Sequence, residues 1–394
     1  MIRLIFDPKA GIWAEDPDSV DKLKKNFFGE EKKGKLFLEI EEALYMLEFQ
    51  NGTCTDSNGR NINFSDLAAH YASKENRLFI KYNAYRDWRD RGLILIRFRD
   101  VHSKKKTGRI KYPGGKLEKP DFGTELQWYD ESLFSLMFDA EKGRELFSKY
   151  WIGQLGVYRQ ERGKILKLDF METIFLGKHF GAKIIDAKTG KHTDAESILK
   201  RVVKEREYAE QLYEVYEDWR LRGYVVKTGF KFGSHFRIYF PGASPVKTDK
   251  WIHSKHVLHV FPKEQKLVIS EWARAVRVAH SVRKTFLLSI PEMKPEDHID
   301  YPTDFIAYRR KKEAGNLVRE TPEDKPRYLL VSVSEDEHIG GIELASLLEK
   351  AKNMGLELLL SITDRETSIT YYLLKEVEIP GAQNEYYEIE WMKP

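Results

Sequence analysis

Three short blocks carry residue types that could together break a phosphodiester bond. The stretch YEDWRLRGYVVKTGFKFGSHFRIY (216–239) ends on Tyr239, HSKHVLHV begins at His253, and VRKTFLL, from Val282, holds Lys284. A metal-free ribonuclease makes the 2′-hydroxyl of RNA attack its own phosphate. It needs a group to accept the 2′ proton, one to protonate the departing 5′-oxygen, and a cation to offset charge on the phosphorane. Histidine, with an ordinary pKa of about 6.5, suits the acid step. Lysine supplies fixed positive charge. Tyrosine, with an ordinary pKa of about 10, serves as a base only where cations stabilise the phenolate. Alone, each residue has a plainer explanation: Tyr239 as a packing tyrosine in an alternating strand, His253 as an exposed loop histidine, Lys284 as a solvated cation at a helix end. The spacing of the set is what points to chemistry.

Neighbouring residues extend the candidate site. Arg277 precedes Lys284 by seven positions, two helical turns on one face, where its flat guanidinium could stack on an unpaired base or form a structural ion pair. Lys227, Lys231 and Arg237 could approach phosphates or lie solvated on a strand edge. His235, His256, His259 and His280 show no metal-ligand spacing. KTGFKFG lacks the GK[ST] ending of a phosphate loop, so its glycines read as a tight turn.

The elements that must hold these groups are set by periodicity. Residues 194–223 repeat apolar positions at helical spacing, with Asp194 as N-cap and Gly223 as stop. VVKTGF, FRIYF, HVLHVF and KLVIS read as strands. SEWARAVRVAHSVR reads as a helix capped by Ser270, and TFLLSI as the buried strand after it. The predicted class is α+β: repeated units of N-terminal helices with mixed sheet, each with a C-terminal α/β nuclease-like subdomain, the last reduced to a degenerate half-unit.

Internal repeats set the predicted organisation. KYNAYRDWRDRGL (81–93) matches LYEVYEDWRLRGY (212–224), KGKLFLEIEEALYML parallels RGKILKLDFMETIFL, and IFDPKAG faces MFDAEKG, all in the same order. Further on, 253–261 aligns with 325–333 and 275–290 with 347–362. In that register Lys284 faces Leu356, Arg277 faces Glu349 and His253 faces Lys325. The last copy keeps the apolar pattern and loses the chemistry. These matches predict a non-catalytic unit at 1–130, a complete catalytic unit at 131–315 and a structural half-unit at 316–394. The stretches 99–121 and 313–326 read as linkers, the first with exposed bases.

Composition bounds the rest. The 394 residues exceed one ordinary core, and a net charge of +4 leaves any nucleic-acid role to local clusters of bases. The single cysteine, Cys54, leaves neither an internal disulfide nor a cysteine-based zinc site. The N-terminal MIRLIFDPKAGIW lacks a signal-peptide core, and no segment has the length of uncharged residues that a membrane span requires. A cytoplasmic protein is expected.

RGYVVKTGFKFGSHFRIY, HSKHVLHV and RVAHSVRKTFLL resemble the catalytic domain of archaeal tRNA-splicing endonucleases, over about 160–310. Carried over residue by residue, the resemblance implies catalysis by Tyr239, His253 and Lys284, and a base-clamping Arg277. A second clamping arginine would be Arg309 or Arg310 in FIAYRR; Lys231, from its place in the basic turn and not from the resemblance, is a further RNA-binding candidate. The resemblance also implies cleavage of precursor tRNA at bulge-helix-bulge junctions, without metal or other cofactor, leaving a 2′,3′-cyclic phosphate and a 5′-hydroxyl. The layout is similar to the three-unit homodimeric class, in which an acidic loop of the structural unit docks into the other half. Asp364 and Glu366 of ITDRETSI are the candidates for that loop. Two readings compete: a non-catalytic RNA-binding or assembly subunit, and a metal-dependent DNA nuclease. The second would need a carboxylate cluster on adjacent strands, and the sequence offers no convincing one.

Overall fold

A computed structural model of the chain describes residues 1–98, 109–157, 160–245 and 253–394. It is a mixed α+β structure with several sheets. Two small arrays carry helices on one side. The first has strand order Glu30–Lys32, Lys35–Leu38, Gly11–Ala14, Arg3–Asp7, Thr53–Asp56. The second begins with Gln154–Val157 and Gln160–Asp169, continues through Phe134–Met137 and Glu125–Tyr129, and ends with Lys183–Asp186 and His192–Thr193. Each array starts a helix with a capping box, Glu39 with Glu42 and Asp169 with Glu172. The second carboxylate of each box also accepts the backbone N–H of a glycine, Gly29 or Gly153.

The predicted helix over 194–223 is two helices, Ala195–Val203 and Ala209–Leu221. Asp194 caps the first through the Ser197 N–H, as its side chain predicts. Between them Tyr208 takes a left-handed φ of 42°, which no continuous helix permits. The first array shows the same break, with Arg77 at φ 59° between Phe64–Ala72 and Leu78–Asp90.

An 11-stranded sheet joins distant parts of the chain. From one edge the order of ten of them is Val225–Thr228, Phe236–Tyr239, His256–Val260, Thr285–Ser289, Tyr386–Met392, Ile369–Glu378, Glu357–Thr363, Tyr328–Ser334, Phe305–Ala307 and Leu95–Arg97, and the eleventh, Ile110–Lys111, pairs off this path with Ile369–Glu378. The central antiparallel pair, Tyr386–Met392 with Ile369–Glu378, is flanked on each side by a parallel pair. A parallel pair needs a crossover, and the helices Ile269–Ser281 and Gly341–Asn353 supply it. The two pairs share one register: His256 faces Thr285, and Tyr328 faces Glu357. The position before the second strand is Lys284 in one pair and Leu356 in the other.

The crossover helices cover one sheet face through Trp272, Val276, Leu344 and Leu347. On the other face, Trp88 and Tyr85 of one array pack on Phe305 and Tyr328, while Trp219 and Tyr216 of the other pack with Phe236 and Ile238. Ser270 does not cap its helix. It lies inside Ile269–Ser281, whose first N–H groups are taken by the Glu337 and Glu335 carbonyls.

Sheet pairing also crosses the expected boundaries at 130 and 315. Leu95–Arg97 pairs with Phe305–Ala307, which pairs with Tyr328–Ser334. Of the basic stretch 99–121, residues 99–108 lie outside the described residues. Of the rest, 110–112 is packed, while 113–121 forms no helix or strand and is mostly exposed. Ile110–Lys111 pairs with Ile369–Glu378, and buried Tyr112 donates its hydroxyl to Glu388 among the rings of Trp219, Phe240 and His256.

Candidate active site

FRIY alternates strand-forming residues, so Phe236 and Ile238 enter the core while Arg237 and Tyr239 turn to the opposite face. Tyr239 is buried there. Its ring lies 4.7 Å from that of Trp151, a residue held at φ 49° where the second array meets the sheet. The Arg237 Nη1 donates to the Tyr239 hydroxyl at 3.3 Å, while its Nε donates to the Thr228 carbonyl at 2.7 Å. Lys227 is held by Glu172 at 2.8 Å and by the Gly153 carbonyl at 3.0 Å, which takes it away from any phosphate.

Lys284 comes after a helix that stops abruptly. Arg283 is left-handed at φ 56°, and the Lys284 N–H returns to the Ala279 carbonyl at 2.9 Å. The side chain then reaches across to the neighbouring strand. Its Nζ donates to the carbonyl and, at 2.8 Å, to the hydroxyl of buried Ser254, and lies 4.9 Å over the Phe232 ring. Ser254 adjoins exposed His253. Ile238 faces His256, and His256 faces Thr285, so the end of Tyr239's strand and the starts of the next two lie at one end of the sheet. Sheet topology thus gathers Tyr239, His253 and Lys284.

Burial sorts the histidines. Loss of water pulls His235 and His256 down to about 4, and His259 to about 3. None of the three holds a proton near neutrality. His253 is in water. Among the described residues no group of histidines, cysteines and carboxylates is arranged to hold a metal ion.

The remaining expected residues divide. Lys231 is exposed in the turn Phe230–Phe232 beside Lys284's ring contact. Arg277 is exposed on Ile269–Ser281, and its charge reaches the Tyr372 hydroxyl. Arg309 and Arg310 are not brought to this site. They lie just past Phe305–Ala307, several strands away from Thr285–Ser289, a separation of about 24 Å at ~4.8 Å per strand. There Arg309 donates to the Tyr328 hydroxyl at 3.3 Å and Arg310 to the Arg91 carbonyl at 2.6 Å. The strand that comes after TFLLSI in the chain is not its neighbour in the sheet. That neighbour, Tyr386–Met392, carries Trp391, 40% exposed and 5.7 Å from the His280 ring, and has no arginine. Asp364 and Glu366 lie on the tip between Glu357–Thr363 and Ile369–Glu378, where the Asp364 carboxylate accepts the N–H groups of Glu366 and Ser368 at 2.9 Å.

Sequence reasoning missed Trp151, Ser254, Trp391 and the Arg237–Tyr239 contact. The FR-x-Y spacing, which puts both side chains on one strand face, could have revealed the last.

Residues 209–301 match the family model described as tRNA intron endonuclease, catalytic C-terminal domain. That span contains Tyr239, His253 and Lys284. The chain is 37% identical over 141 residues to a tRNA-splicing endonuclease of Methanopyrus kandleri, covering 36% of this chain and 75% of that protein. It is 32% identical over 162 residues to the tRNA-splicing endonuclease of Hyperthermus butylicus, 40% of this chain and 86% of that one. A longer match, 24% identity over 337 residues, covers 70% of this chain and 92% of the tRNA-splicing endonuclease of Methanococcoides burtonii.

Proposed function

Because the chain belongs to the tRNA-splicing endonuclease family and is an endonuclease, we propose that it cuts precursor tRNA at bulge-helix-bulge intron junctions in the cytoplasm, without a metal. Tyr239 takes the 2′-hydroxyl proton, and the 2′-oxygen attacks the adjacent phosphorus. Lys284 faces the charge that builds on the non-bridging oxygens. His253 gives a proton to the 5′-oxygen as the P–O bond breaks. The products are a 2′,3′-cyclic phosphate and a 5′-hydroxyl. A tyrosine in this role requires a cation beside its oxygen, and Arg237 lies 3.3 Å away. The observation that carries the reading is Lys284 tethered to Ser254, next to His253, at the sheet end where Tyr239 stops.

The sheet pairing supports a revised unit plan. A catalytic unit, roughly 112–298 with the final strand Tyr386–Met392, is inserted into a structural unit formed by 1–98 with 300–378. Two chains would associate as a homodimer with Asp364 and Glu366 on the docking loop. Incubation with a model bulge-helix-bulge RNA in EDTA, and then identification of the ends, tests the activity. The purified wild type should cleave it, and His253→Ala should bind but not cut. Strong inhibition by EDTA, or full activity of His253→Ala, would overturn the mechanism. RNA retention without cleavage by the wild-type chain alone would instead favour a non-catalytic subunit.

A further inference from the structure

The turn between Val225–Thr228 and Phe236–Tyr239 is rigid, and it presents an aromatic ring to water. Gly229 N–H donates to the His235 carbonyl at 2.8 Å, Phe232 N–H to the Gly229 carbonyl at 2.8 Å and Gly233 N–H to the Phe230 carbonyl at 3.2 Å. Ser234 Oγ donates to the Gly229 and Phe236 carbonyls at 3.4 and 3.3 Å. A Cβ on Gly229 would meet Ser234 Oγ at 2.4 Å and the Phe236 carbonyl oxygen at 2.8 Å, so the turn closes only around glycine. Within it the two phenylalanines part. Phe232 packs with the core that includes the helix Ile269–Ser281, its ring under the Lys284 ammonium at 4.9 Å. Phe230 points outward and is 87% exposed, more than any other large apolar side chain among the described residues.

A phenylalanine held in water by a fixed turn, two residues from the ring beneath Lys284, has a specific use where the substrate is RNA. Bases outside a duplex stack on aromatic faces, and cations close by hold the phosphate next to the stacked base. Lys231 is exposed in the same turn and Lys284 stands over its other ring. An apolar protein partner would not need those charges. We propose that Phe230 is a stacking platform for one unpaired nucleobase of the bulge beside the cleaved phosphate, a specificity residue that acts on substrate binding rather than on the chemical step. The inference rests on the reading of Tyr239, His253 and Lys284 as the catalytic group.

The test uses the full chain and bulge-helix-bulge RNAs carrying 2-aminopurine at each bulge position in turn. Phe230→Ala should raise KM about tenfold or more, leave kcat within about threefold, and abolish a fluorescence quench at one position. Phe230→Trp should restore both. Unchanged KM and quench in Phe230→Ala would overturn the proposal. So would a KM loss accompanied by a change in oligomeric state by light scattering, which would make Phe230 a contact between chains. Full activity in His253→Ala would instead remove the catalytic reading beneath it, whatever Phe230 does.

Discussion

Ser254 helps to place Lys284. Ser254 offers it both a carbonyl and a hydroxyl, and the short reach between two parallel strands leaves the ammonium little freedom. Removing a preorganised cation from a developing oxyanion costs ~10²–10³ in kcat. Lys284→Ala should therefore lose about that much in single-turnover cleavage with little change in RNA affinity. Ser254→Ala keeps the carbonyl acceptor and should lose only about tenfold. A loss as large as that of Lys284→Ala would show that the hydroxyl contributes chemistry of its own. At this scale the sequence was readable where neighbours in the chain are neighbours in space, as in the FR-x-Y strand. It was unreadable at Arg309 and Arg310, because the next strand in the chain crosses to the far half of the sheet.

At the scale of elements, the helix caps double as couplings between layers. Glu172 caps a helix of the second array while holding Gly153 and the sheet residue Lys227. Both members of the pair are largely buried, so Lys227→Met leaves a carboxylate with only neutral donors. A cost of about 3 kcal/mol in urea unfolding is expected. A cost below about 1 kcal/mol would mean that the ion pair is not a coupling. Glu42 occupies the same place in the first array, and burial pushes its carboxyl up to about 7 despite N–H donors from Glu39 and Gly29. The folded state thus binds this proton more tightly than the unfolded chain. The associated stability is present below the ordinary value of 4.5 and is lost as pH rises towards 7. Burial and the nearby Glu172 carboxylate raise Asp169 in the same direction. Between pH 5 and 7 the melting temperature of Glu42→Gln should fall less steeply than that of the wild type, and parallel slopes would discount Glu42 as the source. The caps themselves were legible: Asp194 behaves as its side chain and spacing require. Ser270 does not, because carbonyls of a distant segment reach the helix start first.

Across the whole molecule, Tyr386–Met392 pairs with Thr285–Ser289 on one side and Ile369–Glu378 on the other. A strand in the middle of a sheet cannot be removed without exposing two rows of backbone donors and acceptors. Deleting residues 383–394 should therefore abolish cleavage and cooperative unfolding, although Tyr239, His253 and Lys284 all remain. Retained activity in that truncation would sink the proposed insertion of one unit into another. The homodimer is checked by light scattering, where twice the chain mass is expected and the monomer mass at cleavage-competent concentrations counts against it.

Local order was written in residue types. Apolar periodicity and capping side chains located the helical stretch 194–223, the crossover helix and the strands around it, repeated motifs paired the two arrays, and three blocks supplied Tyr239, His253 and Lys284 as candidates. Those signals are short-range, and a one-dimensional pattern carries them. Which strands lie side by side is decided by pairings between residues far apart in the chain, such as Leu95–Arg97 with Phe305–Ala307 and Thr285–Ser289 with Tyr386–Met392. Strands carry no label for their partners beyond an apolar face, so several pairings satisfy the same pattern. Only packing the whole chain at once selects among them. That selection tethered Lys284 to Ser254, set Arg237 against Tyr239, and left Trp391 in the strand beside that of Lys284.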